Sequence, residues 1–435
     1  MMKKEIKVDH LTRVEGHGAI EIILEGDKVK DVKVRITEGP RFYEYTVRER
    51  LWTDIPKVVS RICGICYVSH RIASVRAIED AFNVTVPEPI ELLRRLLIVG
   101  EFFESHALHV YFLALPDYMG YDSALAMAKE YPNVVKRAFK MKNLGNTIMK
   151  TITGKHFHGE NIIPGGFATY PTKEELLALK EQLEDVIVDV EDTVKLFDSL
   201  DYPELNDPPI LQMAISKDKL AFVGNEMYLS DGTVFTKNEF EMFVTETFNG
   251  YSMAKQSTIE GKPFLVGPLA RINLHIDSLR PKTKEIVKKM RIKFPSNNSL
   301  HQNVARTIEL LELVQEGIEL IDAILADYPS VSRVDVKPKA GTGFGLKEAP
   351  RGTLYHKYSF DENGRCTNAN IITPTAQLQA NMEKDLKSLA DRLSSEDEAT
   401  IKKYAEMMIR AYDPCISCSV HMFGAKFETL KVVRL

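Results

Sequence analysis

The chain has 435 residues, of which 44% are hydrophobic and 27% are charged, so it can bury a large core and is not a disordered protein. Its 57 Lys and Arg residues nearly balance its 61 Asp and Glu residues, for a formal net charge of -4. This balance argues against a nucleic-acid-binding protein and against a protein held at a membrane by basic residues. Because we find no apolar run of about 20 residues and no apolar signal-peptide core, we expect a cytoplasmic protein without a membrane span.

The first predicted elements are a β-hairpin followed by two helices. Apolar and polar residues alternate over 19–25 and 29–37 around a Gly-Asp-Lys turn, which predicts two antiparallel strands. Apolar residues then recur at three- and four-residue spacing from Asp54 to Val75, as in a helix. A further helix is predicted over 90–115, and we expect it to be central because most of its faces are apolar.

Helical patterns and two small β regions make up the rest of the chain. A capping threonine opens a predicted helix over 172–200, and long helices are predicted over 299–327 and 375–411. Short alternating runs predict a small β insertion near 209–236 and a second hairpin over 352–373. We therefore predict a mainly α fold of the α+β class with small peripheral β-sheets, and no doubly wound sheet, because strands and helices do not alternate.

Sequence signals for a bound nucleotide are absent. The run Gly341-Thr-Gly-Phe-Gly345 does not match the dinucleotide pattern GxGxxG and does not open a strand–helix–strand unit. No phosphate-binding GxxxxGK[ST] loop occurs either. If the reaction uses a nicotinamide cofactor, we predict that another chain binds it.

Four of the five cysteines form two CxxC pairs near opposite ends of the chain, and Cys366 stands alone. The pairs are Cys63-Gly-Ile-Cys66 and Cys415-Ile-Ser-Cys418. Together they offer four thiolates, a soft ligand set that suits zinc, an iron–sulfur cluster or nickel. Zinc ribbons keep their pairs within about 20 residues, so the wide separation favours a buried catalytic centre. His70 lies one helical turn after Cys66 and is predicted to be a ligand or a donor to a thiolate.

These pairs resemble the metal-binding motifs of the large, catalytic subunit of nickel–iron hydrogenases, of the cytosolic sulfhydrogenase or NADP-coupled type. The motif RxCGxC reads Arg61-Ile-Cys63-Gly-Ile-Cys66, and DPCxxCxxH reads Asp413-Pro-Cys415-Ile-Ser-Cys418-Ser-Val-His421. Further motifs follow the family's order: Thr12-Arg-Val-Glu15-Gly-His17, Gly39-Pro-Arg-Phe-Tyr-Glu44, Glu104-Ser-His106-Ala-Leu-His109, Pro164-Gly-Gly166 and Glu348-Ala-Pro350-Arg351-Gly352. The resemblance implies the large-subunit fold, with a central helix bundle, and reversible heterolytic cleavage of dihydrogen.

The resemblance also implies the roles of individual residues at a nickel–iron centre. Cys63 and Cys415 would be terminal nickel ligands, and Cys66 and Cys418 would bridge nickel and iron, whose carbon monoxide and cyanide ligands no residue supplies. Cys415 would also be the catalytic base.

Three further residues would act beside the cysteines. Glu15 would be the next proton carrier, and Arg351 would lie over the open metal site with Asp413 as the partner of its charge. Simpler alternatives are a surface carboxylate for Glu15 and a structural ion pair for Arg351.

A second ion and a surrounding set of residues complete the expected site. Glu44 and His421 match positions that hold magnesium or a similar ion, although Glu44 could instead be a solvated carboxylate. Ser105 stands where many members of the family carry an acidic residue. The residues expected to surround the centre without binding its metals are His70, Pro350, Ser105 and His106.

The resemblance implies several partner proteins. Because the active site uses four cysteines, none remain for a relay of iron–sulfur clusters, so we expect an iron–sulfur small subunit. Diaphorase subunits with flavin and NAD(P), electron-transfer subunits and a maturation protease are also implied. The protease would cut between His421 and Met422, remove the extension 422–435, and leave 1–421 as a single catalytic domain. Alternatively, the extension is an ordinary C-terminal strand.

Two other functions remain open at this stage. The first is a metal-free structural or quinone-site homologue of the large subunit of respiratory complex I, which lacks the cysteine ligands. The second is a zinc-stabilised binding protein. Metal analysis separates these two functions from the hydrogenase. It would find nickel and iron in a hydrogenase subunit, neither metal in a complex I homologue, and zinc alone in a zinc-stabilised binding protein. The final electron acceptor, whether NADP, NAD, polysulfide or ferredoxin, is not predicted.

Overall fold

The computed structural model describes residues 3–26, 28–205 and 208–420. Within these residues the helices are α1 Tyr43–Thr46, α2 Ile55–Val59, α3 Tyr67–Phe82, α4 Glu88–Ala107, α5 Leu115–Met119, α6 Ala124–Met127, α7 Pro132–Thr153, α8 Lys173–Asp185, α9 Ile187–Ser199, α10 Phe240–Phe243, α11 Pro268–His275, α12 Pro281–Lys289, α13 Gln302–Ala326, α14 Pro374–Arg392, α15 Glu398–Tyr412 and α16 Ile416–Ser419. The strands are β1 Lys3–Val8, β2 Gly18–Glu25, β3 Lys28–Ile36, β4 Ile162–Ile163, β5 Gly166–Phe167, β6 Leu211–Ile215, β7 Glu226–Leu229, β8 Val234–Thr236, β9 Val244–Phe248, β10 Lys255–Ile259, β11 Phe264–Leu265, β12 Gly341–Ala349, β13 Gly352–Phe360 and β14 Cys366–Ile372.

A helix bundle of α4, α7, α8, α9 and α13 forms the centre of the fold, as predicted. The helices α4 and α7 approach each other closely at two glycines. A Cβ atom added at Gly145 would lie 2.6 Å from the backbone oxygen of Gly100, so only glycine permits this contact. The predicted central helix is confirmed, and it continues from α4 through a π-helical segment, Leu108–Ala114, into α5.

By length and composition, this continuous helix Glu88–Met119 could cross a bilayer, which the sequence did not lead us to expect. It is the only such helix among the described residues, and 83% of its most apolar window is buried inside the protein. A core helix of a large domain has the same apolar composition, because neighbouring helices cover all of its faces.

Small sheets lie around the bundle, as predicted. The hairpin β2–β3 is confirmed, with Gly18 opposite Ile36, and β1 adds an unpredicted third antiparallel strand. The region near 209–236, where a small β insertion was predicted, contains the strands β6, β7 and β8, and β11 pairs parallel to β6 in the same sheet. Two further antiparallel pairs are β9 with β10 and β4 with β5.

The second predicted hairpin is confirmed as β13–β14, but its sheet has a third strand, β12, that begins in the glycine-rich run 341–345. These glycines allow the strand to lie against α3. A Cβ atom at Gly343 would lie 2.1 Å from the backbone oxygen of Ala77, and one at Gly345 would lie 1.9 Å from that of Ala73. Close packing between a strand and a helix therefore explains the run.

Three of the predicted helices are interrupted. The pattern from Asp54 to Val75 is not one helix, because the chain leaves α2 through a 3-10 turn, Ser60–Ile62, and α3 begins only at Tyr67. The helix over 172–200 opens with the predicted cap at Thr172 but divides at Val186, and the helix over 375–411 divides into α14 and α15. Apolar spacing continues across the first two breaks, so the pattern alone could not show them. The third break falls in the polar run Ser394-Ser-Glu-Asp-Glu398, where Asp397 caps α15.

One contiguous apolar core includes Ile6 in β1 and Val420 at the last described position. The two ends of the described chain therefore share the same interior. The expectation of a single domain over 1–421 stays a prediction, since His421 and the extension 422–435 lie outside the described residues.

Candidate metal centre

The four cysteines of the two CxxC pairs meet in one buried cluster. Their Sγ atoms all lie within 4.8 Å of one another. The Sγ atoms of Cys66 and Cys418 are 3.3 Å apart, and those of Cys63 and Cys415 are 3.4 Å apart. Each close contact thus joins one end of the chain to the other.

The break before α3 directs the first pair of thiols into the cluster. Cys63 is extended, with φ -146° and ψ 143°, and Cys66 caps α3. The backbone N–H groups of Ile65 and Cys66 donate to the Cys63 Sγ atom at 3.3 and 3.4 Å. Hydrogen bonds from the other cysteines, Cys415 foremost, hold the pKa of Cys63 well below its usual value, whereas burial raises the pKa of Cys415 and Cys418. Among the protein groups alone, the site therefore favours negative charge on one sulfur, that of Cys63.

A short loop joins α15 to α16, with Cys415 capping α16 and Cys418 lying within that helix. Asp413 ends α15 in the left-handed conformation, with φ 52°. The backbone N–H of Cys415 donates to Thr375 Oγ1 at 2.9 Å, which fixes the loop to the start of α14. Thr375 carries no sequence signal that would have marked it, since it lies in no metal-binding motif.

Arg41 connects the two cysteine segments, a role that its place in the motif before Glu44 did not predict. Its guanidinium donates to the backbone oxygen of Ile62 at 2.6 Å and to that of Ser417 at 3.5 Å. Its backbone N–H donates to the oxygen of Val420 at 2.9 Å. One side chain thus holds the residues beside both thiol pairs.

Glu15 lies directly against the second cysteine segment. Its backbone oxygen accepts from the N–H of Ile416 at 3.0 Å, and its carboxylate accepts from the N–H of Ser417 at 3.1 Å and from the Ser417 hydroxyl at 2.5 Å. Burial, followed by the nearby Cys63 sulfur, raises the pKa of the Glu15 carboxyl group. The alternative of a free surface carboxylate does not match these contacts.

Arg351 and Asp413 form a buried pair beside the cysteines. Arg351 Nε donates to the backbone oxygen of Asp413 at 2.8 Å, and Nη2 donates to Asp413 Oδ1 at 2.9 Å. Burial by itself lowers the pKa of Arg351, but attraction by Asp413 and by the cysteine sulfurs outweighs it and leaves the pKa well above its usual value. The structural ion pair is therefore present, and Arg351 Nη1 remains buried without a hydrogen-bond partner.

That unpaired donor and the sulfur cluster test whether a nickel–iron centre suits these residues. Four thiolates are the soft ligands that nickel and iron accept. A bond between a metal ion and a thiolate sulfur is about 2.3 Å long, as it is for zinc, so sulfurs within 4.8 Å of one another can bind the same ion. A buried guanidinium nitrogen normally has a partner, and a polar ligand of the centre would supply one. The residues present therefore fit the centre.

The residues expected around the centre lie in a dense polar core. His70 Nδ1 pairs with His356 Nε2 at 3.1 Å, and His106 Nε2 pairs with Glu309 Oε2 at 2.8 Å. Burial lowers the pKa of both His70 and His106 to about 4. The hydroxyl of Ser105 is buried without a partner.

Arg271 holds the turn that carries Arg351. Its guanidinium donates to the backbone oxygens of Ala349 and Pro350, both at 3.1 Å, and it is paired with Glu309 and Glu348. Glu348 belongs to a motif quoted above, but Arg271 has no sequence signal, because its partners are distant in the chain.

Glu44 is buried rather than solvated. Its Oε1 atom accepts from the N–H of Ile371 at 2.9 Å and lies 3.4 Å from the ammonium of Lys255. Burial raises the pKa of Glu44. The expected second ligand, His421, lies outside the described residues, as does Met422. Cys366 lies apart from the cluster, buried in β14, where its thiol donates to the backbone oxygen of Asn368 at 3.3 Å.

Comparison with known proteins matches this site to one family. The model of the family described as nickel-dependent hydrogenase matches residues 41–140 and 227–421, and a HoxL-like model matches residues 5–38. The chain is 41% identical to the alpha subunit of sulfhydrogenase 2 of Pyrococcus furiosus over 418 residues, which cover 96% of this chain and 98% of that subunit. It is 30% identical to the beta subunit of the NAD-reducing hydrogenase HoxS of Cupriavidus necator, covering 97% and 96% of the two chains.

The fold agrees with solved structures of the same family. The crystal structure of an NAD+-reducing [NiFe]-hydrogenase in the H2-reduced state superposes with a TM-score of 0.86 at 25% identity, covering 96% of this chain and 99% of that one. A [NiFeSe]-hydrogenase of Dm. baculatum superposes with a TM-score of 0.80 over 97% and 100% of the chains. The predicted large-subunit fold is confirmed. With these matches and its four-cysteine group, the chain belongs to the nickel-dependent hydrogenase family and is an oxidoreductase that acts on hydrogen.

Proposed function

We propose that the chain is the catalytic subunit of a cytoplasmic nickel–iron hydrogenase that cleaves dihydrogen reversibly. The observation that carries the proposal is the buried cluster of four sulfurs drawn from opposite ends of the chain. Cys63 and Cys415 would hold nickel as terminal ligands, and Cys66 and Cys418 would hold both nickel and iron. The iron would also carry carbon monoxide and cyanide, and together the metals would supply the cleavage of dihydrogen. The sulfur contacts of 3.3 and 3.4 Å support this division. One joins Cys66 to Cys418, the two proposed bridging ligands, and the other joins Cys63 to Cys415, the two proposed terminal ligands.

Proton movement is assigned to the residues beside the cluster. The bound centre supplies the heterolytic cleavage of dihydrogen and takes up its electrons. Cys415 accepts the proton at its Sγ atom, and the Glu15 carboxylate receives it next. The contacts of Glu15 with Ile416 and Ser417 support this order, since they hold the carboxylate beside the cysteine segment. A carboxyl group whose pKa is raised by burial can take up and release a proton near neutral pH.

Arg351 supplies a fixed positive charge at the open side of the centre. Asp413 uses two of its donors, and the unpaired Nη1 atom is free to bind a cyanide ligand or to polarise dihydrogen. A planar guanidinium suits this task, because it keeps its charge when buried and holds its donors in fixed directions.

A magnesium or similar ion is proposed at Glu44 and His421. The bond from Arg41 N–H to the oxygen of Val420 supports this pair, because it brings the residue before His421 close to the segment of Glu44. The ammonium of Lys255 lies 3.4 Å from Glu44 Oε1, so the lysine and the ion would share the Glu44 carboxylate. Metal analysis of Glu44→Gln should show loss of magnesium with nickel and iron retained, whereas unchanged magnesium would remove Glu44 from the site.

A maturation protease is proposed to cut between His421 and Met422 and remove residues 422–435. Val420 is fully buried, which supports the idea that the residues before the cut end inside the protein. Intact-mass measurement of the nickel-loaded enzyme should find a chain that ends at His421. A chain that still ends at Leu435 in active enzyme would contradict the proposal.

Electrons are proposed to leave through an iron–sulfur small subunit and then reach NAD(P) or polysulfide through diaphorase and electron-transfer subunits. The chain has five cysteines, four of them in the cluster, so it lacks the thiolates for a relay of its own. The names of the relatives support both acceptors, since one is a sulfhydrogenase subunit and another belongs to an NAD-reducing hydrogenase.

Purification of the native complex tests the proposal. We expect nickel and iron in the catalytic chain, co-purifying iron–sulfur and flavin subunits, and hydrogen-dependent reduction of NADP, NAD or polysulfide. Zinc alone in the cluster would support the zinc-stabilised binding protein instead. A metal-free chain without hydrogen turnover would support the structural homologue of complex I.

A further inference from the structure

Asp117 in α5 shares one carboxylate between two arginines from distant parts of the chain. Arg410 Nε donates to Asp117 Oδ2 at 2.6 Å, and Arg410 Nη2 donates to Oδ1 at 2.9 Å. Arg13 Nη2 also donates to Oδ1. The side chains of Asp117 and Arg410 are only 6% and 2% exposed, so solvent screens this cluster weakly.

Both arginines belong to segments that lead to the proposed site. Arg13 lies two residues before Glu15, and Arg410 lies in the last turn of α15, shortly before Asp413 and Cys415. Arg410 Nη1 also donates to the backbone oxygen of Thr12 at 3.1 Å, and Arg13 Nη1 donates to that of Leu113 at 2.6 Å. Asp117 therefore connects the loop of Glu15 to the helix that precedes the second cysteine pair.

The loop is held under backbone strain at this point. Arg13 adopts φ 58°, a left-handed conformation that L side chains rarely adopt and that costs about 1 kcal/mol or more. A residue keeps such a conformation only when its surroundings hold it there, and the contacts of Arg13 with Asp117 and Leu113 do so.

The far side of the loop is in tight contact with the cysteine segment. Glu15 is bonded to Ile416 and Ser417, and a Cβ atom added at Gly16 would lie 2.6 Å from Ile416 Cβ. A shift of the loop therefore changes the distance between the Glu15 carboxylate and the cysteine segment, because the two segments are in direct contact.

We propose that Asp117 is a positioning residue for proton transfer, which holds the Glu15 loop against the Cys415–Cys418 segment through Arg13 and Arg410. This inference rests on the proposed function of Glu15. Asp117 touches neither the cysteines nor Glu15 and acts through the two arginines. Proton transfer needs heavy atoms about 2.6–3.2 Å apart, and a displacement of about 1 Å can cost about 100-fold in rate.

Asp117→Asn in the native complex tests the inference. The amide keeps the shape of the side chain but loses the charge that two arginines share, so the loop should loosen. We expect nickel and iron content, the infrared bands of the iron ligands and KM for hydrogen to stay unchanged. The kcat and the rate of hydrogen isotope exchange with D2O should fall together by about tenfold or more. Arg13→Gln, which releases the same loop, should show the same split between kcat and KM.

Glu312→Gln is the matched control, because Glu312 is a buried carboxylate that pairs with Arg280 at 2.9 Å elsewhere in the fold. It should leave kcat and isotope exchange unchanged. Deuterium exchange of backbone amides over residues 11–17, measured in the complex, should speed up in Asp117→Asn and not in Glu312→Gln.

Two results would overturn the inference. Unchanged kcat and unchanged amide exchange over 11–17 in Asp117→Asn would show that the arginine cluster does not hold the loop. Loss of nickel in proportion to loss of activity would make Asp117 a merely structural residue. A wild-type complex without nickel or hydrogen turnover would instead refute the proposed function, while the amide exchange of the loop would still report on the role of Asp117.

Discussion

The guanidinium of Arg351 is bonded to Asp413 at two points. Arg351 Nε donates to the backbone oxygen of Asp413 at 2.8 Å, and Arg351 Nη2 donates to the Asp413 carboxylate at 2.9 Å. This two-point contact leaves Nη1 as the one guanidinium nitrogen without a partner among the described groups. The pair thus fixes the direction of a single unpaired donor. Lysine could keep the charge but could not reproduce both bonds and the free donor at once.

For Arg351→Lys we expect a complex with wild-type nickel and iron content and a turnover lowered by about 100-fold, the usual effect of removing one well-placed donor. Metal analysis and hydrogen uptake on the same preparation provide the measurement. Arg95→Lys, at an exposed ion pair with Glu316, is the control and should keep normal turnover. Normal rates in Arg351→Lys would leave the residue with a structural role alone.

Cys418→Ala and Cys415→Ala should each lose hydrogen turnover and retain less than about a tenth of the wild-type nickel, because each removes one of four thiolates. Metal content per chain is the measurement. Cys366→Ser controls for the loss of a buried thiol, since serine can still donate to the oxygen of Asn368, and it should stay active. Full nickel content in Cys418→Ala would refute the ligand assignment.

Gly345→Ala should destabilise the fold by about 3 kcal/mol, because the added Cβ would lie 1.9 Å from the backbone oxygen of Ala73 and the strand would have to move away from α3. Denaturant unfolding measures the change. In Gly250→Ala the new Cβ meets nothing within 4 Å, so stability should stay close to that of the wild type. Equal stability of the two variants would show that β12 can move without cost.

Stability should fall as the pH drops from about 6.5 towards 4, in part because His106 is buried in its neutral form. Burial lowers the pKa of His106 to about 4, so the unfolded chain binds a proton below pH 6.5 that the folded chain still excludes. The histidine therefore costs up to about 1.4 kcal/mol of unfolding free energy for each pH unit in this window.

Unfolding midpoints at pH 7.5, 6 and 5 check this expectation. In His106→Gln the unfolding midpoint should depend less on pH, even if the substitution also changes the stability at pH 7.5. His17→Gln, at an exposed position, is the control and should keep the wild-type slope. An unchanged slope in His106→Gln would show that other groups carry the pH dependence. Glu309, the partner of His106, contributes only at lower pH: although burial raises its pKa, Arg271 outweighs that effect and lowers it to about 2.

Much of this protein could be predicted from local pattern. The alternation over 19–25 and 29–37 predicted β2 and β3, because its period of two matches that of a strand with one buried face. The apolar run over 90–115 predicted the central helix, because it is too long for a strand and apolar on most of its faces. The strands β1 and β12 were missed, although their partners β2 and β13 follow them closely in the chain. The glycines of β12 gave no strand pattern, because they serve its packing against α3, which lies far away in the chain. The break before Cys63 was also missed, because apolar spacing runs through it.

The chemistry of the site was determined by the sequence itself. Two CxxC pairs in one chain offer four soft ligands, and the resemblance of the surrounding motifs to the family predicts Glu15, Arg351 and Asp413 beside them. Only the tertiary structure decided which sulfurs meet, because Cys63 and Cys415, 352 residues apart, come together in a buried cluster that also contains Cys66 and Cys418. It also shows that Arg41 and Arg271 are bonded to the segments that carry the site, and that Asp117 is bonded to Arg13 and Arg410. The long side chains of these arginines bond to carboxylates and backbone oxygens that are far away in the chain, and no local sequence pattern predicts such contacts.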